Sequence, residues 1–425
     1  MIITAIITLL IMLLFGMPLF IIILAATLLG FYNAEIDLAV ISIEIYRIAD
    51  TPLLVALPLF TFAGYILSES NTSERLLKLT RVFFGWMPSG LAIISLLSCA
   101  LFTAFTGASG VTIVALGALL LPALIKEGYP EKLSLGLVTT TGSLGLLLPP
   151  SVPLILYGII VQQMNLGIKI SLSQLFIAGL LPALVMILLL AAWLIWTTRK
   201  LKFSKTPFSI TAAKSALFDT IWLIPLPFFI FIGVFGGIFT ISEIAAITVF
   251  YILIVEVFIH KEIKLAQLNK ISLDAIQMIG SILLILAVAM AFTNYLVDAE
   301  IPMHLFTWVK AHVETKFTFL ILLNLFLLIL GAILDVFSAL IIIVPLIVPI
   351  ALGYDIHPLH LGVIFLANMQ IGYFTPPVGM NLFIASYRFN KPITEIYQAT
   401  IPFMLILLLA VLIITYIPWL STWFL

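Results

Sequence analysis

The chain has 425 residues, of which 63% are hydrophobic and 9% charged, and its mean hydropathy is +1.30. That leaves too little polar surface to cover a soluble globule, so the sequence reads as an all-α polytopic membrane protein. Its 19 basic and 19 acidic side chains cancel, which leaves no global field to attract nucleic acid, and a single cysteine, Cys99, excludes an internal disulfide and a cysteine metal cluster.

In chain order, a retained first helix is expected over 2–31, because the opening apolar run has neither a basic leader nor a small-residue cleavage site. A second span is expected at 52–68, followed by an amphipathic arm at 69–88 suited to the membrane interface. Segment 89–126 is apolar but split by Thr106-Gly107-Ala108-Ser109-Gly110. Spans follow at 133–163 and 174–197, then a basic loop and a linking helix within 201–242, the helix itself at 219–238. Further spans are expected at 243–260 and 273–297, and a second amphipathic arm at 298–315. Segment 316–352 is split by Gly331-Ala332-Ile333-Leu334-Asp335, and the last spans are 359–387 and 396–420. That makes nine crossings of a hydrocarbon layer about 30 Å thick. The arms of the two split segments, about 17 residues each, sit at the bottom of the spanning range, so both are expected to be re-entrant hairpins.

Two spans carry a Pro-Pro pair. Gly145-Leu146-Leu147-Leu148-Pro149-Pro150-Ser151 and Gly372-Tyr373-Phe374-Thr375-Pro376-Pro377-Val378 are degraded copies about 227 residues apart. The order of elements from residue 1 to 200 repeats from 243 to 425, and the helix within 201–242 gives the halves opposite orientation. Interrupted helices at matching positions of inverted halves mark a secondary transporter. Charge sets the orientation. Fifteen Lys and Arg residues, among them Arg75, Lys78, Arg81, Lys202, Lys205, Arg388 and Lys391, fall on one side, and four, Arg47, Lys169, Lys310 and Lys316, on the other. The rich side is expected to be cytoplasmic, with the amino terminus inside and the carboxy terminus outside.

A proline within a helix frees carbonyls on the preceding turn, and in lipid those oxygens need a partner. A sodium ion is such a partner. Gly145, Leu148 and Pro150 have the spacing to turn carbonyls inward, with Ser109 from the hairpin tip completing a shell. Gly372, Thr375 and Val378, with Gly331 and Asp335, form the matching set, so at least two ions are expected. Half-helices starting at the breaks aim positive dipole ends at the bilayer centre, which suits an anionic substrate. Candidate substrate contacts are Thr106, Ser143, Ser151, Asn368, Gln370 and Asn381.

Asp335 is the one carboxylate deep in an apolar segment, at a cost of about 2.5–3.5 kcal/mol. It reads as a cation ligand or tip-orienting acceptor, or as a structural cap of the second half-helix. Glu256, four residues before His260, reads as snorkelling to the cytoplasmic surface. Asn294 and Asn324 read as holding helix pairs together, and His357 and His360 as a solvated loop. One Pro break alone would be an ordinary kink; two at a matched offset, each with a small-residue break upstream, are not.

The stretches Phe105-Thr106-Gly107-Ala108-Ser109-Gly110, Thr140-Thr141-Gly142-Ser143-Leu144-Gly145 and Phe374-Thr375-Pro376-Pro377-Val378-Gly379-Met380-Asn381, in this order, resemble the large membrane subunit of tripartite ATP-independent periplasmic (TRAP) transporters, the DctM type. The resemblance covers nearly the whole chain. It implies a bacterial inner-membrane, sodium-coupled symporter of organic acids, such as C4-dicarboxylates or sialic acid, working by an elevator mechanism. It also implies a small DctQ-type membrane subunit, a periplasmic substrate-binding protein and surrounding lipid as partners. Because residue 1 opens on the first span, the small subunit is expected as a separate chain. A binding-protein-independent sodium/dicarboxylate symporter would share the broken helices but carries Ser-Asn-Thr at its hairpin tips. An intramembrane enzyme lacks support, since no His-Glu-x-x-His, aspartyl dyad or Gly-x-Ser-x-Gly occurs, and a channel lacks a ring of like charges.

Overall fold

A computed structural model describes residues 7–9, 11–12, 14–49, 52–85, 89–164, 170–201, 210–235 and 239–425. Lys169, Lys202 and Lys205, and the side chain of Arg47, lie outside the described residues.

The described elements are helical. The first half contains α1 (Leu19–Asn33), α2 (Ala39–Ala49), α3 (Ala56–Glu69), α4 (Thr72–Phe84), α5 (Gly90–Thr106), α6 (Ser109–Lys126), α7 (Glu131–Thr141), α8 (Val152–Gln163) and α9 (Leu172–Thr198). The linking region holds α10 (Ile210–Thr220) and α11 (Pro225–Phe235). The second half contains α12 (Ile241–Leu253), α13 (Leu265–Asp298), α14 (Ile301–His312), α15 (Lys316–Ile333), α16 (Val336–Leu352), α17 (Pro358–Gly372), α18 (Met380–Phe389), α19 (Ile393–Tyr416) and the short α20 (Trp419–Thr422). Among the described residues, seven helical stretches are long and apolar enough to cross a membrane, Glu131–Gln163 counted as one through its break.

Five of the seven fall on expected crossings, at 133–163, 174–197, 243–260, 273–297 and 396–420, and the other two, Ser109–Lys126 and Lys316–Ile333, are arms of the split segments, long and apolar enough to span by themselves. Two further expected spans are interrupted. The run at 2–31 is not one helix: Gly16 adopts φ +69° and Pro18 stands at the amino-terminal end of α1, where a missing N–H is harmless but the preceding helix cannot continue. The linking helix expected at 219–238 divides into α10 and α11 at Pro225 for the same reason. Hydropathy alone does not register these stops, because proline and glycine interrupt hydrogen bonding without adding polarity.

Shifting by the 227 residues from Pro149 to Pro376 carries the helices of the first half onto those of the second. Ser109 at the start of α6 goes to Val336 at the start of α16, and Glu131–Thr141 goes to 358–368, within α17. Packing between the halves is reciprocal in the same sense. α8 lies on α16 while α18 lies on α6, and α7 lies on α19 while α17 lies on α9. One continuous apolar core runs from Ile23 to Ile414 and includes both breaks.

Candidate functional site

Each split segment is a pair of helices joined by a two-residue connection, and the two connections are built differently. α5 ends in Gly107, whose φ of +67° is the left-handed conformation that closes a helix, its N–H donating to Thr103 O at 2.8 Å. In the second half Leu334 and Asp335 are both extended, and the Asp335 side chain closes the start of α16: Oδ1 accepts from the N–H groups of Phe337 and Ser338 at 3.0 Å, and Oδ2 from Ser338 Oγ at 2.5 Å. Of the roles open to Asp335, the cap is the one displayed.

The breaks themselves share a backbone. After α7 the chain makes a 3-10 turn over Leu144–Leu147, extends at Leu148, passes a cis Pro149–Pro150 bond and restarts as α8, capped by Ser151 Oγ on the Leu154 N–H at 3.3 Å. Ser151 Oγ also donates to Leu146 O. After α17 the chain turns at Tyr373–Thr375, passes a cis Pro376–Pro377 bond and restarts as α18. Gly145 O accepts from Leu148 N–H at 3.0 Å, and Gly372 O accepts from Thr375 N–H at the same distance. Both glycines are required by the neighbouring hairpin. A Cβ on Gly145 would lie 2.4 Å from Ala100 O and Ala104 N of α5, and one on Gly372 2.5 Å from the Cα and carbonyl carbon of Gly331 in α15.

The expected first ion set is only partly drawn together. Gly145 faces α5 rather than Ser109; it is Gly142, one turn earlier, that meets the tip, with Ser109 O 3.1 Å from where its Cβ would be and Thr103 Oγ1 donating to Gly142 O at 2.7 Å. Pro150 is buried and Leu148 half-buried. Ser109 Oγ reaches across to the second break, donating to Asn381 Oδ1 at 2.9 Å, and Asn381 Nδ2 donates to Thr139 O at 3.5 Å. The first tip, α7 and the start of α18 thus meet at one buried amide.

In the second set, Gly331 and Gly372 touch backbone to backbone, and the Val336 N–H beside Asp335 donates to Tyr373 Oη at 3.1 Å. Thr375 Oγ1 donates to Ile371 O at 2.8 Å, and Val378 is 43% exposed. Beside Gly379 two main-chain oxygens come together, one from the expected ligand Thr375 and one from Tyr373, which sequence reading did not name: a Cβ on Gly379 would lie 2.7 Å from Tyr373 O and 2.9 Å from Thr375 O, which accept the N–H groups of Asn381 at 2.9 Å and Gly379 at 3.2 Å. Each carbonyl keeps a second lone pair, and this pair of oxygens fits a hard alkali cation in donor type.

Among the candidate substrate contacts, Ser143 Oγ bonds back to Thr140 O at 3.0 Å. Asn368 is turned into the helix interface, donating to Asn324 Oδ1 at 2.6 Å, where Thr415 Oγ1 also donates at 3.2 Å. Buried side-chain atoms of Thr106 and Gln370, and Asn368 Oδ1, are without hydrogen-bond partners. Two further readings are corrected. His360 is not in a solvated loop but buried on α17, between Ser421 Oγ and Thr415 O, each 3.1 Å from a ring nitrogen. Glu256 does not snorkel; it is fully buried against His260 and Arg75. Tyr373, Thr103 and Gly379 were missed because a single hydroxyl or glycine inside an apolar run carries no distinctive pattern; the proximity of Tyr373 and Gly379 to the Pro-Pro pair was the available signal.

Three comparisons place this architecture. A C4-dicarboxylate TRAP transporter large permease protein of Pseudomonas aeruginosa is 31% identical over 379 residues, 89% of this chain and 87% of that protein. An isethionate TRAP transporter permease protein, DctMQ, of Oleidesulfovibrio alaskensis is 30% identical over 367 residues; these are 86% of this chain, which spans 57% of that relative. The solved YdaH transporter of Alcanivorax borkumensis shares the fold at a TM-score of 0.60, with 15% identity, 87% of this chain and 85% of that one being covered. The family described as tripartite ATP-independent periplasmic transporter, DctM component, matches residues 6–420. The chain therefore belongs to that family of multi-pass membrane permeases, not enzymes.

Proposed function

We propose that this protein imports a small organic anion by sodium symport across a bacterial inner membrane. Residues 1–200 and 243–425 act as inverted repeats joined by 201–242, with the amino terminus cytoplasmic and the carboxy terminus periplasmic. The helix pairs α5–α6 and α15–α16 enter and leave on one side of the membrane as re-entrant hairpins. Together with the broken helices they move as an elevator against α1–α3 and α12–α13. A periplasmic binding protein delivers the substrate, and a small membrane subunit accompanies the chain in lipid. The C4-dicarboxylate and isethionate relatives carry small anions in their names, which agrees with a half-helix beginning at each break.

The observation that carries this reading is the pair of equivalent helix breaks, each seated by a glycine on its own hairpin, with main-chain oxygens at the level of the interruption. Sodium is assigned to the oxygens of Tyr373 and Thr375 beside Gly379, with Asp335 nearby as counter-charge, and to the Gly142–Gly145 turn beside Ser109. Two such ions cancel the charge of one dicarboxylate, which lowers the cost of carrying it across the bilayer centre. The test is uptake into proteoliposomes of a labelled C4-dicarboxylate. Transport that requires both an inward sodium gradient and an added binding protein is the expected result. Uptake driven without sodium, or at full rate without any binding protein, would overturn it.

A further inference from the structure

At the far end of α12 a charged cluster lies outside the site described above. The helix continues through Ile254–Ile259 as a π-helix, within which Glu256 is fully buried. Its Oε2 stands 3.2 Å from His260 Nδ1 and 3.9 Å from Arg75 Nη1, and its Oε1 is buried without a hydrogen-bond partner. Arg75 comes from α4 and is claimed more closely by Glu262: Nη1 donates to Oε2 at 3.3 Å and Nη2 donates to Oε1. The Asn71 N–H, preceding α4, donates to the same Oε2 at 2.8 Å. Burial alone would raise the Glu262 carboxyl, but the Asn71 N–H and the Arg75 guanidinium outweigh it and hold it below its ordinary value. Glu262 is therefore a carboxylate with both oxygens occupied.

Two carboxylates against one guanidinium leave one buried negative charge, which is costly in a site largely shielded from water. Among the described residues the surrounding elements do not neutralise it, and α10, packed on α4, carries only the exposed Lys214 and Asp219. α3 contributes the exposed Glu69 and Tyr65, whose hydroxyl donates to Met278 Sδ; Tyr251 of α12 is tied to Trp222 O; α11 has no charged residue; Lys261 and Lys264 are exposed. The groups acting electrostatically on Glu256 are His260, Arg75 and Glu262. His260 has 11% of its side chain exposed and so opens the cluster to the aqueous side. Carboxylate and imidazole atoms of Glu256, His260 and Glu262 lie within 4.8 Å of one another. A divalent cation would still overshoot neutrality and would have to displace the donors on Glu262, whereas one proton balances the charge.

We infer that Glu256 and His260 form a binding site for a single proton, whose occupancy decides whether Arg75 belongs to Glu262 alone and so whether the start of α4 is latched to the 260–264 loop. With the proton bound, Arg75 stays on Glu262 and the latch is closed. When it leaves, the charged Glu256 competes for Arg75 and the latch loosens. α4 is in turn joined to α5 by Thr80 Oγ1 and Ser98 Oγ at 2.8 Å, so the state of the latch is felt by the helix that ends at the first tip.

The test needs no transport. A spin label on Lys78→Cys reports the mobility of α4; Lys78 is exposed, its 4.0 Å contact with Asp219 is weak, and Cys99 is buried and stays unlabelled. In the full chain in lipid nanodiscs, label mobility is expected to rise in one single-proton step as the pH is raised from about 5 to about 9. Glu256→Gln should abolish the step and keep the label immobile throughout, and Glu262→Gln should leave it mobile throughout. A flat wild-type profile, or a Glu256→Gln profile identical to wild type, overturns the proposal. Should Glu256→Gln not fold, His260→Gln, at the surface, must move or remove the step, and an unchanged midpoint overturns it.

Discussion

At the first break the turn from Ser143 to Leu147 is buried, its polar side chains are hydroxyls, and Ser143 and Ser151 bond to nearby backbone. At the second, Thr375 is half-buried, Pro377 and Val378 are exposed, and a carboxylate caps the adjoining tip. Position 379 is a glycine in the second half, where its counterpart in the first is Val152, whose Cγ2 is 3.0 Å from where a Gly107 Cβ would be. The backbone path has been kept in both copies while the side chains around it have diverged. What the comparison teaches is that geometry at the breaks is set by glycine, proline and main-chain hydrogen bonds, so side-chain chemistry is free to make one break neutral and closed and the other charged and open.

The largest effect is expected where the halves agree. Gly145→Ala and Gly372→Ala each drive a Cβ into hairpin backbone, at 2.4 Å and 2.5 Å respectively. Overpacking against a backbone that cannot step aside costs about 3 kcal/mol or more. Both variants should melt well below wild type in a thermal unfolding assay, and by similar amounts. If one is tolerated, the structural equivalence of the breaks is lost.

Asp335→Asn comes next and separates the halves. Asparagine is about as good a helix cap as aspartate, so folding should change by less than about 1 kcal/mol. Removing the charge should lower uptake more than about thirtyfold, or about 2 kcal/mol in kcat/KM. Normal uptake would take Asp335 out of the ion site and leave it as a cap. The first tip has Ala108 at the equivalent position, so no single charge removal there has a matching effect.

The division of each split segment into two helices was largely legible in the sequence. The expected 316–352 coincides with Lys316–Leu352 and 89–126 with Gly90–Lys126, because several poor helix formers fall together at each tip, where a single hydroxyl or glycine would be carried within the helix. The Pro-Pro pairs located the breaks for the same reason. What could not be read was which face meets which neighbour. Ser109 and Asn381 were assigned to different ligands, and only the packing of α18 on α6 joins them. Glu256 looked like a residue near a helix end that reaches solvent; its ion partner Arg75 lies in α4, far away in sequence, and no local pattern announces it.

The third test exchanges the residues that distinguish the breaks. Gly379→Val crowds Tyr373 O and Thr375 O from 2.7 Å and 2.9 Å, so it should lower thermal stability as the other glycine variants do, and in the folded protein the sodium concentration for half-maximal uptake should rise about tenfold, about 1.4 kcal/mol. Val152→Gly removes a buried side chain without touching a proposed ligand. It should lower thermal stability by about 1–3 kcal/mol, the loss of a buried valine, and leave sodium dependence as it was. A shift of the sodium curve in Val152→Gly but not in Gly379→Val would reverse the assignment of the two breaks.

The smallest effect concerns the one hydrogen bond that joins the tip of the first half to the break of the second. Ser109 Oγ donates to Asn381 Oδ1 at 2.9 Å in a buried setting, and such a bond contributes about 1 kcal/mol net. Ser109→Ala should therefore weaken sodium activation a few-fold, and Asn381→Ala somewhat more, since it also frees Thr139 O. Because the two side chains act on each other, the double variant should lose less than the sum of the singles, with a coupling of about 0.5–1 kcal/mol in the sodium-dependence assay. Additive losses would mean that each residue serves its own half, and the two breaks would then have to be treated as separate sites instead of one site assembled across the repeat.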